Sequence, residues 1–122
     1  MNDEIYKENI LKENKNPKNN HKIIKPTNEG EHSNHICGDI IKIRLRIKDN
    51  KIQEAGWTGK GCALCIATAS LLTEHIKNKT ANETKELETH NIENLIKIHV
   101  PESRKECIQT PLIALKNSIE KE

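Results

Sequence analysis

The chain has 122 residues, of which 34% are hydrophobic and only 2% aromatic, and 20 basic against 18 acidic residues give a formal net charge of +2. Nothing in it pairs a basic stripe with stacking aromatics, which argues against nucleic acid as a partner, and no apolar run reaches the ~18–20 residues that span a bilayer. We therefore expect one domain over residues 1–122, whose thin core draws part of its stability from a bound metal or a partner.

The N-terminal end carries no features of a targeting sequence. Asp3, Glu4 and Glu8 lie there, and the segment has neither an apolar signal core nor the Arg-rich, acid-poor composition of an organelle transit peptide. We therefore predict a cytoplasmic protein with reduced thiols. In a reducing compartment, four cysteines are more often metal ligands or reactive groups than disulfide partners.

The first predicted element is a short helix in a polar, Asn- and Lys-rich segment, residues 1–35, whose composition is compatible with flexibility. The helix ends near Pro17, and four apolar residues share one of its faces. They are Ile5, Tyr6, Ile10 and Leu11. Residues 18–35 are predicted as loop, with a short strand at Ile23 and Ile24.

The clearest pattern is the stretch IIKIRLRIKD, residues 40–49, in which apolar residues alternate with Lys and Arg. This alternation predicts a strand with one buried and one solvent-facing side. Asp49 and Asn50 form a tight-turn dipeptide, and KIQEAGW, residues 51–57, returns as a second strand.

Helical patterns follow this hairpin. The Ala- and Leu-rich residues 62–77 predict one helix, and residues 81–97 predict two short ones. Residues 103–120 predict a last helix, in which Pro111 starts a new turn or introduces a kink. The expected fold class is α+β, with a small antiparallel sheet, formed by the hairpin and the short third strand, packed against C-terminal helices.

Three cysteines stand where a loop meets a predicted element. Cys62 lies at a helix start, where free N–H groups and the positive dipole end lower the pKa of a thiol. Cys37 is followed by Gly38 and Asp39, so that thiol and carboxylate can reach the same centre, and Cys107 opens the last helical region. Three sulfurs and one oxygen make a four-ligand set for zinc or for an iron–sulfur unit.

Other interpretations of these residues stay open at this point. Cys62 and Cys65 also have the C-x-x-C spacing of a thioredoxin-type redox pair, although that motif needs a βαβ context. Any single cysteine is more often an inert buried residue than a ligand, which suits Cys65 on the apolar face of its helix. Asp39 alone could be a turn residue, and a small structural zinc module is a further interpretation of the whole set.

Three motifs occur in a specific order, CGD at residues 37–39, GWTGKGCALCIATASLLTE at residues 56–74 and RKEC at residues 104–107. In this combination the chain resembles the NifU-like family of iron–sulfur cluster assembly scaffolds, of the IscU/SufU type. The resemblance implies a SufE/NifU-like fold and a ligand set for iron, a cluster or zinc. By position, those ligands correspond to Cys37, Asp39, Cys62 and Cys107.

The resemblance implies a scaffold rather than an enzyme. Such a protein builds a [2Fe–2S] cluster from iron and from sulfur that a cysteine desulfurase supplies, and hands the cluster to apo iron–sulfur proteins. Cys107 and Cys37 are then the candidate persulfide acceptors, since a thiolate must attack the donor persulfide. Asp39 is a harder ligand than a thiolate and so makes the cluster easier to release.

Two departures from the family's branches imply an alternative. Glu106 stands where the IscU branch has His before its last Cys, and VPESR, residues 100–104, stands in place of that branch's chaperone-recognition segment, which argues against a dedicated Hsp70-type chaperone. RKECIQTPLIAL is closer to the SufU branch, whose members bind zinc and accept sulfur. The alternative is thus a zinc-dependent persulfide acceptor, a sulfurtransferase, although the 44 residues between Cys62 and Cys107 leave little room for that branch's insertion.

Overall fold

The structure is a computed structural model that describes the backbone of residues 7–120 and the side chains of residues 7–119. Its three strands form one antiparallel sheet in the order β1-β2-β3, and together with the helices they confirm the predicted α+β fold. The elements in chain order are α1 (Glu8–Lys15), β1 (Asn28–Asn34), β2 (Asp39–Lys48), β3 (Lys51–Lys60), α2 (Ala63–His75), α3 (Ala81–Lys85), α4 (Thr89–Ile96), a 3-10 turn (Glu102–Arg104) and α5 (Lys105–Glu120).

The predicted hairpin is present as β2 and β3. Ile41, Ile43 and Leu45 are fully buried, whereas the Lys and Arg residues between them lie on the outer face of the sheet. Asp49 and Asn50 both have positive φ, at 54° and 64°, as the two-residue turn of a tightly twisted hairpin requires. The alternation in the sequence therefore identified both the strand and its buried face.

The prediction of a strand at Ile23 and Ile24 is wrong, because the third strand is Asn28–Asn34. This strand pairs antiparallel with β2, and Asn34 lies opposite Asp39. Its inward-facing positions carry small or polar residues, so no apolar alternation marks it in the sequence. Ile23 is nonetheless buried, whereas Ile24 is 78% exposed.

The helices cover one face of the sheet. α5 packs on β1 and β2, α2 packs on β3 and against α5, and α1 packs on α2. α2 is buried on most of its surface, and α5 continues through Pro111. In the described part of the chain, no helix has the length and apolar character needed to cross a membrane.

The N-terminal helix is confirmed in part. α1 ends at Lys15, before Pro17, and its residue Ile10 is fully buried while Leu11 is 49% exposed. Ile5 and Tyr6, which were predicted to share this face, lie outside the described residues. The side chain of Asn14 donates to the carbonyl of Ala63 at 2.6 Å, which fixes α1 against the start of α2.

Candidate functional site

Three of the four predicted ligands meet at one end of the sheet. Cys37 lies in the turn between β1 and β2, Asp39 is the first residue of β2, and Cys107 lies in the first turn of α5. Their potential ligand atoms all lie within 4.8 Å of one another, and the sulfur atoms of Cys37 and Cys107 are 3.2 Å apart. Residues that are 70 positions apart in sequence are thus brought together by the packing of α5 on the sheet.

Asp39 is the buried charge of this group, with 1% of its surface exposed. Its Oδ1 accepts the backbone N–H of Cys62 at 3.0 Å, and its Oδ2 accepts from Nδ2 of Asn34 at 3.4 Å. The carboxylate therefore lies at the positive end of α2, where a negative charge is favourable. These donors offset the cost of burying a carboxylate away from water.

The fourth predicted ligand, Cys62, lies at the edge of the group. It is the N-cap residue of α2, in agreement with its predicted position at a helix start, and it is half-buried. Burial raises the pKa of the Cys107 thiol, and hydrogen bonding with the thiols of Cys37 and Cys62 raises it further. The structure thus brings Cys62 next to Cys107, although its sulfur is not within 4.8 Å of all three other residues.

Cys65 is fully buried in the first turn of α2, which confirms the prediction that it is a buried helix residue. Burial raises its pKa, and the negative charge of the neighbouring Asp39 raises that pKa further. All four cysteines are free thiols. Cys65 therefore remains a neutral thiol at physiological pH, which does not suit one half of a reactive redox pair.

Asn34 and Gly61 contribute to the geometry of the site, although the sequence analysis did not assign them to it. Asn34 is buried, and its Oδ1 accepts the backbone N–H of Ile36 at 2.9 Å, which orders the turn that carries Cys37. Gly61 lies beside Asp39, and a Cβ there would come within 2.8 Å of Asp39 Oδ1. An asparagine at the end of a strand and before a turn is a recognisable signal, but its contact with Asp39 follows only from the strand register.

The donor set fits a thiophilic metal. Three thiols and one carboxylate suit zinc or an iron–sulfur unit better than they suit magnesium or calcium, which prefer oxygen. Among the described residues, this is the one cluster of cysteine, histidine and acidic side chains whose ligand atoms converge in this way. Arg104, three residues before Cys107 in sequence, has a buried Nε without a hydrogen-bond partner in the described part of the chain.

The sequence is similar to a known protein family and to two of the characterised proteins compared with it. The sequence model of the family described as the NifU-like N terminal domain matches residues 5–121. The chain is 30% identical over 115 residues to the iron-sulfur cluster assembly scaffold protein IscU 1 of Archaeoglobus fulgidus, which covers 94% of this chain and 74% of the relative. It is 30% identical over 77 residues to the zinc-dependent sulfurtransferase SufU of Bacillus subtilis, covering 63% of this chain and 52% of that protein.

A solved structure shares the fold. The crystal structure of a putative iron-sulfur cluster assembly scaffold protein for the SUF system from Fervidobacterium islandicum superposes with a TM-score of 0.80 and 24% identity, covering 94% of this chain and 96% of that one. At this level of identity the superposition shows the fold alone. The arrangement of three strands and packed helices is therefore found in a second protein.

Proposed function

The chain belongs to the family of NifU-like N-terminal domains, and on that premise we propose that it is a scaffold on which an iron–sulfur cluster is assembled. We further propose that the cluster is of the [2Fe–2S] type and is passed on to apo iron–sulfur proteins. The observation that carries this proposal is the convergence of Cys37, Asp39 and Cys107 within 4.8 Å, beside Cys62. Packing of a core alone does not require thiols and a carboxylate to converge at one point.

In this proposal the three thiolates and the carboxylate hold the cluster as cargo. Free thiols such as cysteine reduce the persulfide sulfur to sulfide and are themselves oxidised to a disulfide, and bound iron accepts that sulfide. Asp39 is a harder donor than a thiolate and so binds a soft cluster less firmly. One replaceable oxygen ligand suits a carrier that must let its cargo go, and it is less suited to a permanent electron carrier.

Sulfur arrives, we propose, from a cysteine desulfurase as a persulfide, and Cys37 is placed to receive it. Cys37 is half-buried in an open turn, whereas Cys107 is fully buried. The Cys37 thiolate attacks the outer sulfur of the donor persulfide, the donor's S–S bond breaks, and the donor leaves as a thiolate. Cys107, whose sulfur is 3.2 Å from that of Cys37, can then take the same sulfur by the same exchange.

The second candidate function is a zinc-dependent sulfurtransferase. It is favoured by the compactness of the group, because three ligand atoms within 4.8 Å suit a single tetrahedral ion. The similarity to the Bacillus subtilis protein points the same way. In that case zinc occupies the site at rest, and Cys37 or Cys107 accepts sulfur without any cluster being formed.

Anaerobic reconstitution tests both candidates. The reduced protein is incubated with ferrous iron, cysteine and a catalytic amount of cysteine desulfurase, and its visible absorption and bound iron and sulfide are measured. We expect a chromophore with one cluster per monomer or dimer, lost in Cys37→Ala and kept in the exposed control Glu102→Ala. Tightly bound zinc, no chromophore and faster desulfurase turnover would instead establish the sulfurtransferase.

A further inference from the structure

Cys65 is the one cysteine that the proposed ligand set leaves out. It is fully buried, yet it lies in the first turn of α2, three residues after Cys62 and beside the proposed site. A small apolar residue would fill a buried helix position of this kind equally well. The question is therefore what a thiol does there.

The geometry around Gly61 places Cys65 next to Asp39. A Cβ on Gly61 would lie 2.8 Å from Asp39 Oδ1 and 2.9 Å from Cys65 Sγ. Both atoms therefore border the same small space, which only a residue without a side chain leaves open. The sulfur and the carboxylate oxygen thus lie on the same side of Gly61 and close to one another.

Oδ1 is also the oxygen of Asp39 that accepts a hydrogen bond from the protein backbone. It accepts the backbone N–H of Cys62 at 3.0 Å, and a carboxylate oxygen can accept a second hydrogen bond. Among the described residues, the other oxygen, Oδ2, accepts a long hydrogen bond of 3.4 Å from Asn34. An S–H donor on the side of Oδ1 would therefore leave Oδ1 bound to protein donors and Oδ2 free to bind a metal.

We propose that Cys65 is a positioning residue that donates its S–H to Oδ1 of Asp39, so that Oδ1 is held by the protein and Oδ2 is presented to the metal. This inference rests on the proposed function, because it concerns how the site holds its metal. Partners of this kind orient a ligand and tune how firmly it binds. In this proposal Cys65 is not itself a ligand, in contrast to Cys62, which is half-buried and adjoins the Cys107 thiol.

Zinc affinity of the reduced protein tests the inference without any cluster chemistry. Affinity is measured by competition with a chromophoric chelator for the parent, for Cys65→Ala, and for Cys65→Ser, which keeps a donor. We expect Cys65→Ala to bind zinc about tenfold more weakly or worse, and Cys65→Ser to stay within about threefold of the parent. Parental affinity in Cys65→Ala overturns the inference.

The same substitution in an Asp39→Ala background separates positioning from packing. If Cys65 acts through Asp39, Cys65→Ala adds less than about threefold to the loss once Asp39 is gone, because the two residues share one interaction. An equal loss in both backgrounds shows that Cys65 acts by packing, and overturns the inference. Cys65→Val, which fills the space without a donor, should match Cys65→Ala, and it serves as the test if the alanine variant does not fold.

Cobalt(II) in place of zinc reports whether Cys65 is a ligand. The sulfur-to-cobalt charge-transfer absorption of the saturated protein should have the same intensity in the parent and in Cys65→Ala, since the number of bound thiolates is unchanged. A lower intensity in Cys65→Ala makes Cys65 a ligand and overturns the positioning role. A parent protein that binds neither zinc nor cobalt contradicts the proposed function itself, whereas a bound metal that ignores Cys65 contradicts this inference alone.

Discussion

Asp39 combines two roles that are separable by mutation. Its Oδ1 holds the N-terminus of α2 through Cys62, and it is the oxygen donor among the proposed ligands. The loss of a side-chain acceptor at a helix start costs roughly 0.5–2 kcal/mol of stability. In the proposed function, the loss of this oxygen donor acts instead on the release of the cluster.

Asp39→Ala should slow cluster transfer. Without the one hard ligand, the site offers no easily displaced position to the recipient's thiolates, and we expect a rate about tenfold lower, which corresponds to ~1.4 kcal/mol in the barrier. Transfer is followed by circular dichroism of the cluster as it moves from reconstituted protein to an apo-ferredoxin. Asp39→Asn keeps an acceptor for the Cys62 N–H, so it should transfer as slowly as Asp39→Ala while unfolding closer to the parent. Transfer by Asp39→Ala at the parental rate would show that the carboxylate does not control release.

At the scale of single residues, the sequence points to Cys37, Asp39 and Cys107, which the fold brings together, but not to the residues around them. Cys37 and Asp39 lie in one three-residue motif, and Cys62 follows a glycine at a helix start, so all three positions are visible in the sequence alone. The contacts of Asn34 and Gly61 with Asp39 are not visible. They depend on the register of β1 against β2 and on where α2 begins, which are properties of the packed elements.

At the scale of elements, β2 could be predicted from the sequence, whereas β1 could not. β2 alternates apolar and charged residues because one face is buried, and this pattern is readable. The inward positions of β1 are Asn28, Gly30, His32 and Asn34. Such residues leave no apolar pattern, and at Gly30 the backbone of α5 lies so close that a side chain has no room.

Gly30 shows how close this packing is. A Cβ at Gly30 would lie 2.2 Å from the backbone nitrogen of Ser118 and 2.5 Å from the carbonyl oxygen of Ala114. Backbone of a helix cannot move aside as a flexible side chain can, so Gly30→Ala should lower the free energy of unfolding by roughly 1–3 kcal/mol or more. Urea denaturation followed by Trp57 fluorescence measures the loss. Glu31→Ala, at the next and exposed position, should stay within about 0.5 kcal/mol of the parent. Similar values for the two variants would contradict the close approach of α5.

A partly buried polar network joins α1 to α2. Ser70 donates to Oε1 of Glu13 at 2.6 Å, and Nζ of Lys18 donates to Oε2 of Glu13 at 2.8 Å. The backbone N–H of Lys18 donates to the hydroxyl of Ser70 at 2.7 Å. Burial acts to raise the pKa of Glu13, but the hydrogen bonds from Lys18 and Ser70 and the lysine charges outweigh it, so that this pKa is lowered from 4.5.

This network predicts an acid-dependent part of the stability. A carboxylate whose pKa is lower in the folded protein contributes stability above its unfolded pKa, and the contribution is lost as the pH falls through the folded pKa. Glu13→Gln should therefore lower the free energy of unfolding by roughly 1–3 kcal/mol at pH 7, and the difference from the parent should shrink as the pH falls below 4.5. Urea denaturation across this pH range measures it. The exposed control Glu86→Gln should show no such trend, and a difference for Glu13→Gln that is constant with pH would contradict the network's ionic character.

At the scale of the whole molecule, the proposed metal site joins parts of the chain that are far apart in sequence. Cys37 and Asp39 come from the β1–β2 turn, Cys62 from the start of α2, and Cys107 from the start of α5. The core between them is aliphatic around one fully buried aromatic residue, Trp57, whose Nε1 donates to the carbonyl of Lys18 at 2.8 Å. A metal held by these ligands therefore fastens the sheet to both of its main helices.

Metal binding should raise the stability of the entire fold. A ligand that binds only the folded state adds about 2.7 kcal/mol when present at 100 times its dissociation constant, which for a chain of this size corresponds to a rise in Tm of about 10 °C. Thermal unfolding of the reduced protein, followed by Trp57 fluorescence with and without zinc, measures this rise. Magnesium is the matched control ion, because it prefers oxygen ligands, and Cys37→Ala is the matched variant. Addition of magnesium to the parent, or of zinc to Cys37→Ala, should leave Tm nearly unchanged. A rise with magnesium, or an equal rise in Cys37→Ala, would mean that the stabilising metal binds somewhere other than between the β1–β2 turn and α5.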